Sequence, residues 1–326
     1  MKKRKFAKDL AFVTVSLLLV LVMLYSGFRL VESTVLRPGQ TGEEVASKTV
    51  IRDGVAYYPR QDITTMMVLG IDQSGPVAAS GSYQNPGAAD MVMLLIFDEV
   101  REVYNILQLN RDTMVEMPVL GLGGKQAGVF YGQLALAHTY GSGLHDSCEN
   151  TKKTISDFLN GIYIDYYMAL NMDAIGILTD GVGGVRVNVS DDFSKVDDTL
   201  KMGQVTLTGE QAVSFVQTRK DVGDQLNLSR IQRQREYIDG FLEAFKAQQT
   251  SEELLAGLYE DVTPYMVTDC SLTVLSNMVS HYQDYTLGQI TSLPGENILG
   301  EEYFEFYVDE EKLDAYILEL FYAPKG

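Results

Sequence analysis

The chain has 326 residues, 46% of them hydrophobic, with 44 acidic against 26 basic residues and a formal net charge of −18. That length and apolar content suffice for one sizeable core, or one large domain with a small addition. A surface this acidic repels a nucleic-acid backbone, which excludes DNA- and RNA-binding classes and means that any basic cluster within it needs a reason.

Residues 1–9 form a basic tail with Lys2, Lys3, Arg4, Lys5 and Lys8. Residues 10–28 carry no charge and are mostly Leu, Val, Phe and Met. At about 1.5 Å per residue this stretch spans roughly 28 Å, close to a bilayer core. A signal peptide has a shorter apolar region, about 7–15 residues, followed by a small-x-small cleavage site; YSGFRLVEST offers no such site. The expectation is an uncleaved single-pass transmembrane helix over 10–28. The positive-inside rule then makes residues 1–9 cytoplasmic and everything after Arg29 extracytoplasmic, in a cell-membrane protein. Residues 29–62 are polar, contain Pro38 and Gly39, and read as a stalk. Residues 63–326 read as one α/β domain.

Within that domain the apolar run from Thr64 to Ile71 reads as a buried strand ending at Asp72. A loop rich in Gly, Ala, Ser and Pro follows over 74–89, and Asp90 opens a second strand, MVMLLIF. DEVRE turns the chain into a third, from Val103 to Leu109, which runs into Arg111 and Asp112. An up-down-up meander places the end of the first strand, the start of the second and the end of the third on one sheet edge. That edge collects Asp72, Asp90, Arg111 and Asp112, at strand ends, where α/β domains commonly place their chemistry. Charged residues also end strands simply because strand ends meet water.

Farther along, the alternation is α/β: a helix over 150–160, a strand over 162–170, a glycine-capped helix from Met172, and the strand VRVNV at 185–189. Thr208 and Gln211 form a capping-box pattern opening a helix that ends near Arg219 and Lys220. Ser229 is placed to cap a helix over 230–245, buried through Ile231, Ile238, Phe241, Leu242 and Phe245. Beside that face Arg230, Arg233, Gln234 and Tyr237 make a second stripe at helical spacing, with no acid among them. Guanidinium groups near a helix start suit a phosphate or diphosphate; a solvated basic stripe is the plainer alternative. Helices near 251–260 and 271–282, the strand YFEFYV and a last helix ending in LFY complete the domain. Cys148 and Cys270 allow one disulfide or two free thiols, and the three histidines read as ordinary surface or core residues.

MVLGID (67–72), DMVML (90–94), NRDT (110–113), YIDYYMALNMDAI (163–175), GGVRVNV (183–189), LTGEQAVSFVQTRK (207–220) and SRIQRQRE (229–236) occur in the order of the LytR–CpsA–Psr family, which this chain resembles over roughly 63–325. The resemblance implies a mixed central sheet sandwiched between helices. It also implies a membrane-anchored enzyme that transfers a glycopolymer from a polyprenyl diphosphate lipid onto peptidoglycan, with Mg²⁺ as cofactor. By motif position Asp72 and Asp90 are the expected metal ligands. Arg111, Arg219, Arg230 and Gln234 are expected on the diphosphate, and Asp90, Arg111 and Asp112 are the expected catalytic group. The chain departs from the family pattern at Gln217, where the RxRK signature begins with arginine. It departs again at Ala88-Ala89, where Arg-Ser or a similar pair is usual, and at Gln133-Leu134-Ala135, where KIN is common. At least two positive contacts are thereby lost, so a non-catalytic binder of the lipid-linked polymer, or a regulator of envelope assembly, is the alternative.

Overall fold

The computed structural model describes residues 49–324, apart from 122–123, 219, 224–226, 249–251, 272–273, 275–276, 279–280 and 283. The expected membrane span at 10–28 and Arg219 both lie outside the described residues. Among those described, no helix is long and apolar enough to cross a membrane.

Part of the segment read as a stalk is sheet. Strands β1 (Val50–Arg52) and β2 (Val55–Pro59) pair, and β2 also pairs with the last described strand, β15 (Tyr322–Pro324). The chain then enters the central six-stranded sheet through β3 (Ile63–Ile71), all nine residues of which are buried. Strand β4 (Ala89–Asp98) returns antiparallel to β3, and β5 (Val103–Leu109) returns antiparallel to β4, giving the expected meander. Strand β8 (Tyr166–Asn171) lies parallel to β3, β12 (Thr286–Ser292) parallel to β5, and β11 (Met266–Thr268) antiparallel to β8. The order is β11-β8-β3-β4-β5-β12, a mixed sheet.

Both faces of this sheet are covered, which is why its middle strands read as unbroken apolar runs rather than as alternation. Met66, Val68, Met93 and Leu95 point to one core. There they meet α2 (Met172–Gly181), α3 (Gly209–Gln217), α4 (Asn227–Ala247) and α5 (Glu252–Val262). Met67, Leu69, Leu94 and Ile96 point to the other, under α1 (His145–Phe158), the 3-10 segment Leu134–Thr139 and α6 (Glu310–Phe321). Three hairpins project from this frame: β6 (Met114–Leu120) with β7 (Gln126–Gln133), β9 (Val185–Val189) with β10 (Gly203–Leu207), and β13 (Gly295–Leu299) with β14 (Phe304–Val308).

Several boundaries differ from the sequence reading. Helix α1 begins at His145 rather than near 150, because Ser142 and Asp146 bond to each other and turn the chain early. Residues 162–165 are irregular: the Asp165 carboxylate accepts from both the amide and the hydroxyl of Thr65. Helix α4 begins at Asn227, so Ser229 lies inside it instead of capping it. Ile231, Ile238 and Phe241 are buried as expected, whereas the side chains of Leu242 and Phe245 lie outside those described. The capping box forms reciprocally between Thr208 and Gln211. Cys148 and Cys270 are free and buried, in cores on opposite faces of the sheet.

Candidate active site at the sheet edge

Two local features aim side chains at the edge where β3 ends and β4 begins. The β3–β4 register pairs Gly70 with Met91 and Ile71 with Ala89, so Asp90 is the extra residue of a bulge. A bulge bends its strand and redirects the unpaired side chain. Gly70 allows the close approach: a Cβ there would lie 3.0 Å from that of Met91. After β5, the Asn110 side-chain oxygen accepts from the Asp112 amide at 3.0 Å, and the Asn110 carbonyl accepts from the amide and hydroxyl of Thr113. This Asx-type turn ends the strand and brings Arg111 back toward β4.

The result is a carboxylate gripped by two guanidinium groups from distant parts of the chain. Arg111 donates to one oxygen of Asp90. Arg230, from the first turns of α4, donates to the other at 2.6 Å. The Arg230 side chain is 2% exposed and that of Arg111 16%. The Arg111 Nε–H is buried with no hydrogen-bond partner, 3.6 Å from the Asp112 carboxylate. Asp112, itself 1% exposed, accepts from the Gln133 amide at 2.9 Å. Asp72 is exposed at the end of β3, its amide bonded to the Ala88 carbonyl and one carboxylate oxygen held by Gln217. Asp72, Asp90, Arg111, Asp112 and Arg230 thus occupy one edge.

The second stripe on α4 is buried, not solvated, and it divides. Arg230 faces Asp90. Arg233 is a brace: its Nε donates to the Phe215 carbonyl at 3.0 Å, its other nitrogens reach Asp191 and the Thr218 carbonyl, and it lies over the Phe193 ring. It therefore fixes the end of α3. The Gln234 amide is engaged by Gln108 and the Val216 carbonyl rather than by Asp90 or its arginines, and Arg235 bonds Gln108 and Ser292. Sequence reasoning missed the roles of Gln133 and Gln217. The available signal was the departure from the family pattern at each of these two positions.

The loop over 74–89 is pinned at both ends. The Gly75 carbonyl accepts from Asn171 at 2.6 Å and the Gly75 amide donates to Asp173. Near Asp90, the Asn85 side chain donates to the His138 and Gly141 carbonyls and to Ser147. His138 Nδ1 lies 2.7 Å from the Gly87 carbonyl, so it carries the proton and donates. Burial pushes the His138 pKa down, and its Nε2 has no partner, as fits a neutral ring.

Among the described residues no three His, Cys, Asp or Glu side chains are grouped to hold a metal. Mg²⁺ needs only one or two protein carboxylates when phosphate oxygens and water fill its shell. The second oxygen of Asp72 takes no protein hydrogen bond among the described residues, and each oxygen of Asp90 has further lone-pair capacity. These are the carboxylate oxygens that this edge offers to a cation.

A LytR_cpsA_psr family model matches residues 34–320. The chain belongs to this family. Among its relatives is the polyisoprenyl-teichoic acid–peptidoglycan teichoic acid transferase TagU of Oceanobacillus iheyensis, 27% identical over 260 residues, covering 78% of this chain and 74% of that protein. The TagU of Halalkalibacterium halodurans is 26% identical over 272 residues, covering 83% and 81%. A structure of TagT bound to LI-WTA superimposes with a TM-score of 0.59 at 24% identity, over 80% of this chain and 90% of that one. Bacillus subtilis TagV does so with a TM-score of 0.61 at 22% identity, over 80% and 96%. These likenesses establish the mixed sheet flanked by helices as the family fold.

Proposed function

We propose that this member of the family is a membrane-anchored, extracytoplasmic phosphotransferase that moves a glycopolymer from a polyprenyl diphosphate onto peptidoglycan. The carrying observation is the Asp90 carboxylate held between Arg111 and Arg230 at the sheet edge. Two guanidinium groups converging on one anionic group in an acidic protein are a preformed cradle for a second anion of similar geometry. The named activity of the TagU relatives supports the same reading.

In this reading Arg111 and Arg230, joined by Arg219, hold the diphosphate, and Gln234 ties α4 to Gln108 and the Val216 carbonyl. Asp72 and Asp90 would hold Mg²⁺, which neutralises phosphate charge. Phosphoryl transfer depends mainly on positioning and charge stabilisation. Arg111 and Arg230 stabilise the charge that builds on the leaving lipid phosphate. The acceptor hydroxyl attacks the sugar-linked phosphorus and gives its proton to a carboxylate at this edge, Asp90 or Asp112. The bond to the lipid phosphate breaks, leaving a phosphodiester on the acceptor. The Gln133 amide holds Asp112, whose carboxylate lies 3.6 Å from the Nε of Arg111 and adds negative charge behind the guanidinium.

The test is release of polyprenyl phosphate by the full-length chain in detergent, from a polyprenyl-diphosphate oligosaccharide with Mg²⁺ and a peptidoglycan acceptor. No product above a denatured control with several donors refutes it. The glutamines at 133 and 217 favour one second reading, a binder that no longer transfers. Tight, saturable donor binding with no turnover is its signature.

A further inference from the structure

Two projecting hairpins meet beside Asp112. The Phe306 amide donates to the Asp112 carbonyl at 2.8 Å, Thr113 bridges Phe306, and Gln133 donates both to the Asp112 carboxylate and, at 2.8 Å, to the Phe304 carbonyl. The sheet register puts Tyr131 opposite Glu116 on β6–β7, and Tyr307 opposite Glu296 on β13–β14. Tyr307 donates to Glu305 at 2.6 Å, and this bond pushes the Tyr307 phenol up to about 12. Partial burial, then the carboxylates of Glu305 and Glu116, push Tyr131 up in the same direction; the Thr113–Phe306 bridge and the Gln133–Phe304 bond hold the two hairpins side by side as one surface. On it Tyr131 is 53% exposed, Tyr303 40% and Tyr307 39%.

Large exposed rings grouped this way mark a binding surface. Their chemistry selects the partner. Strands β6, β7, β13 and β14 contain no lysine or arginine. A membrane-docking face carries basic residues beside its aromatics. An anionic glycopolymer or nucleic acid is repelled by Glu116, Glu296 and Glu305. A neutral sugar chain is not: each pyranose ring offers an apolar C–H face to stack on a tyrosine and hydroxyls to donate to a carboxylate. We infer that the tyrosine–glutamate face of these two hairpins is the platform on which the uncharged glycan backbone of the acceptor lies. This rests on the transfer reading above. The platform's contact with Asp112 leads a hydroxyl of the bound chain toward Asp90 and Arg111.

The test uses the full-length chain in detergent, with two probes measured separately. One is sedimentation with purified peptidoglycan sacculi stripped of attached polymer; the other is titration with inorganic pyrophosphate. The double variant Tyr131→Ala/Tyr307→Ala is expected to lose at least tenfold in affinity for sacculi and to keep its pyrophosphate affinity within twofold. Tyr131→Phe/Tyr307→Phe, which keeps the rings, is expected to bind sacculi within about threefold of the parent. Arg111→Ala is expected to lose pyrophosphate binding, which shows that the second probe reads the arginine site. The inference is overturned if the parent chain does not sediment with sacculi, or if the alanine pair binds them as well as the parent. It is overturned too if the pair instead loses binding to phosphatidylglycerol vesicles. Ring-dependent sacculus binding in a chain that transfers no donor leaves the platform standing and removes only the transferase assignment.

Discussion

Asp90 gives the sharpest test, because its removal affects stability and ligand binding in opposite directions. In Asp90→Ala the guanidinium of Arg230, 2% exposed, loses the carboxylate that holds its Nη1, and Arg111 loses its acceptor as well. Breaking a buried ion pair by deleting one partner costs about 3–5 kcal/mol, most of it from the charge left behind. The lower end applies here, since Arg111 keeps the neighbouring carboxylate of Asp112 and is partly exposed. In a domain of this size about 3 kcal/mol corresponds to a fall in Tm of roughly 6–12 °C. The same change leaves two arginines without the anion that occupies them. Inorganic pyrophosphate without metal should therefore bind Asp90→Ala more tightly than the parent chain, and should recover more of its Tm. At a hundredfold excess over Kd, ligand binding returns about 2.7 kcal/mol. The assay is a thermal melt of both proteins across a pyrophosphate series, with transfer activity measured in parallel and expected to be absent. A Tm within about 2 °C of the parent, or a smaller pyrophosphate response in the variant, refutes the reasoning that Asp90 balances a buried cationic cradle.

Arg233→Lys should destabilise the chain by about 2–4 kcal/mol in urea unfolding, although charge is kept, because an ammonium cannot reach the Phe215 carbonyl, Asp191 and the Thr218 carbonyl together. The parent chain should also lose stability as pH falls through about 6.5, where unfolded histidine takes up its proton while buried His138, with its lowered pKa, does not. The slope from this one group is at most about 1.4 kcal/mol per pH unit; it should flatten in His138→Gln, and equal slopes in the two proteins would remove His138 as the cause. Gln217→Arg, beside Asp72, should tighten pyrophosphate binding by about tenfold or more, from a charge-assisted contact worth about 1.5–3 kcal/mol. Unchanged affinity by calorimetry would show that this position does not face the diphosphate.

The central meander was legible because three apolar runs separated by short turns have few other ways to pack. That arrangement alone placed Asp72, Asp90, Arg111 and Asp112 on one edge. Composition could not show that Asp90 sits in a bulge, because the extra residue is defined only by the register against Gly70 and Met91. The α4 stripe was visible at helical spacing, yet its division was not. Arg230 and Arg233 are identical in type and three residues apart, and only the packing of α3 against α4 decides that one meets Asp90 and the other Phe215. The β6–β7 and β13–β14 hairpins were missed or half-seen, since their alternation is diluted by exposed aromatics. The strands at 50–59 looked like linker because their partner, β15, lies at the far end of the sequence.

The cradle joins two halves of the molecule that fold around opposite faces of the sheet. Arg230 arrives with the α4 layer, whereas the turn holding Arg111 is bonded to the 3-10 segment of the other layer through Ala135. Neither layer alone carries the paired arginines to which the proposed function assigns the diphosphate. The arrangement of both guanidinium groups on Asp90 therefore exists only when both layers have seated. Under the proposed function, the same seating of the two layers that completes the core would also complete the donor site.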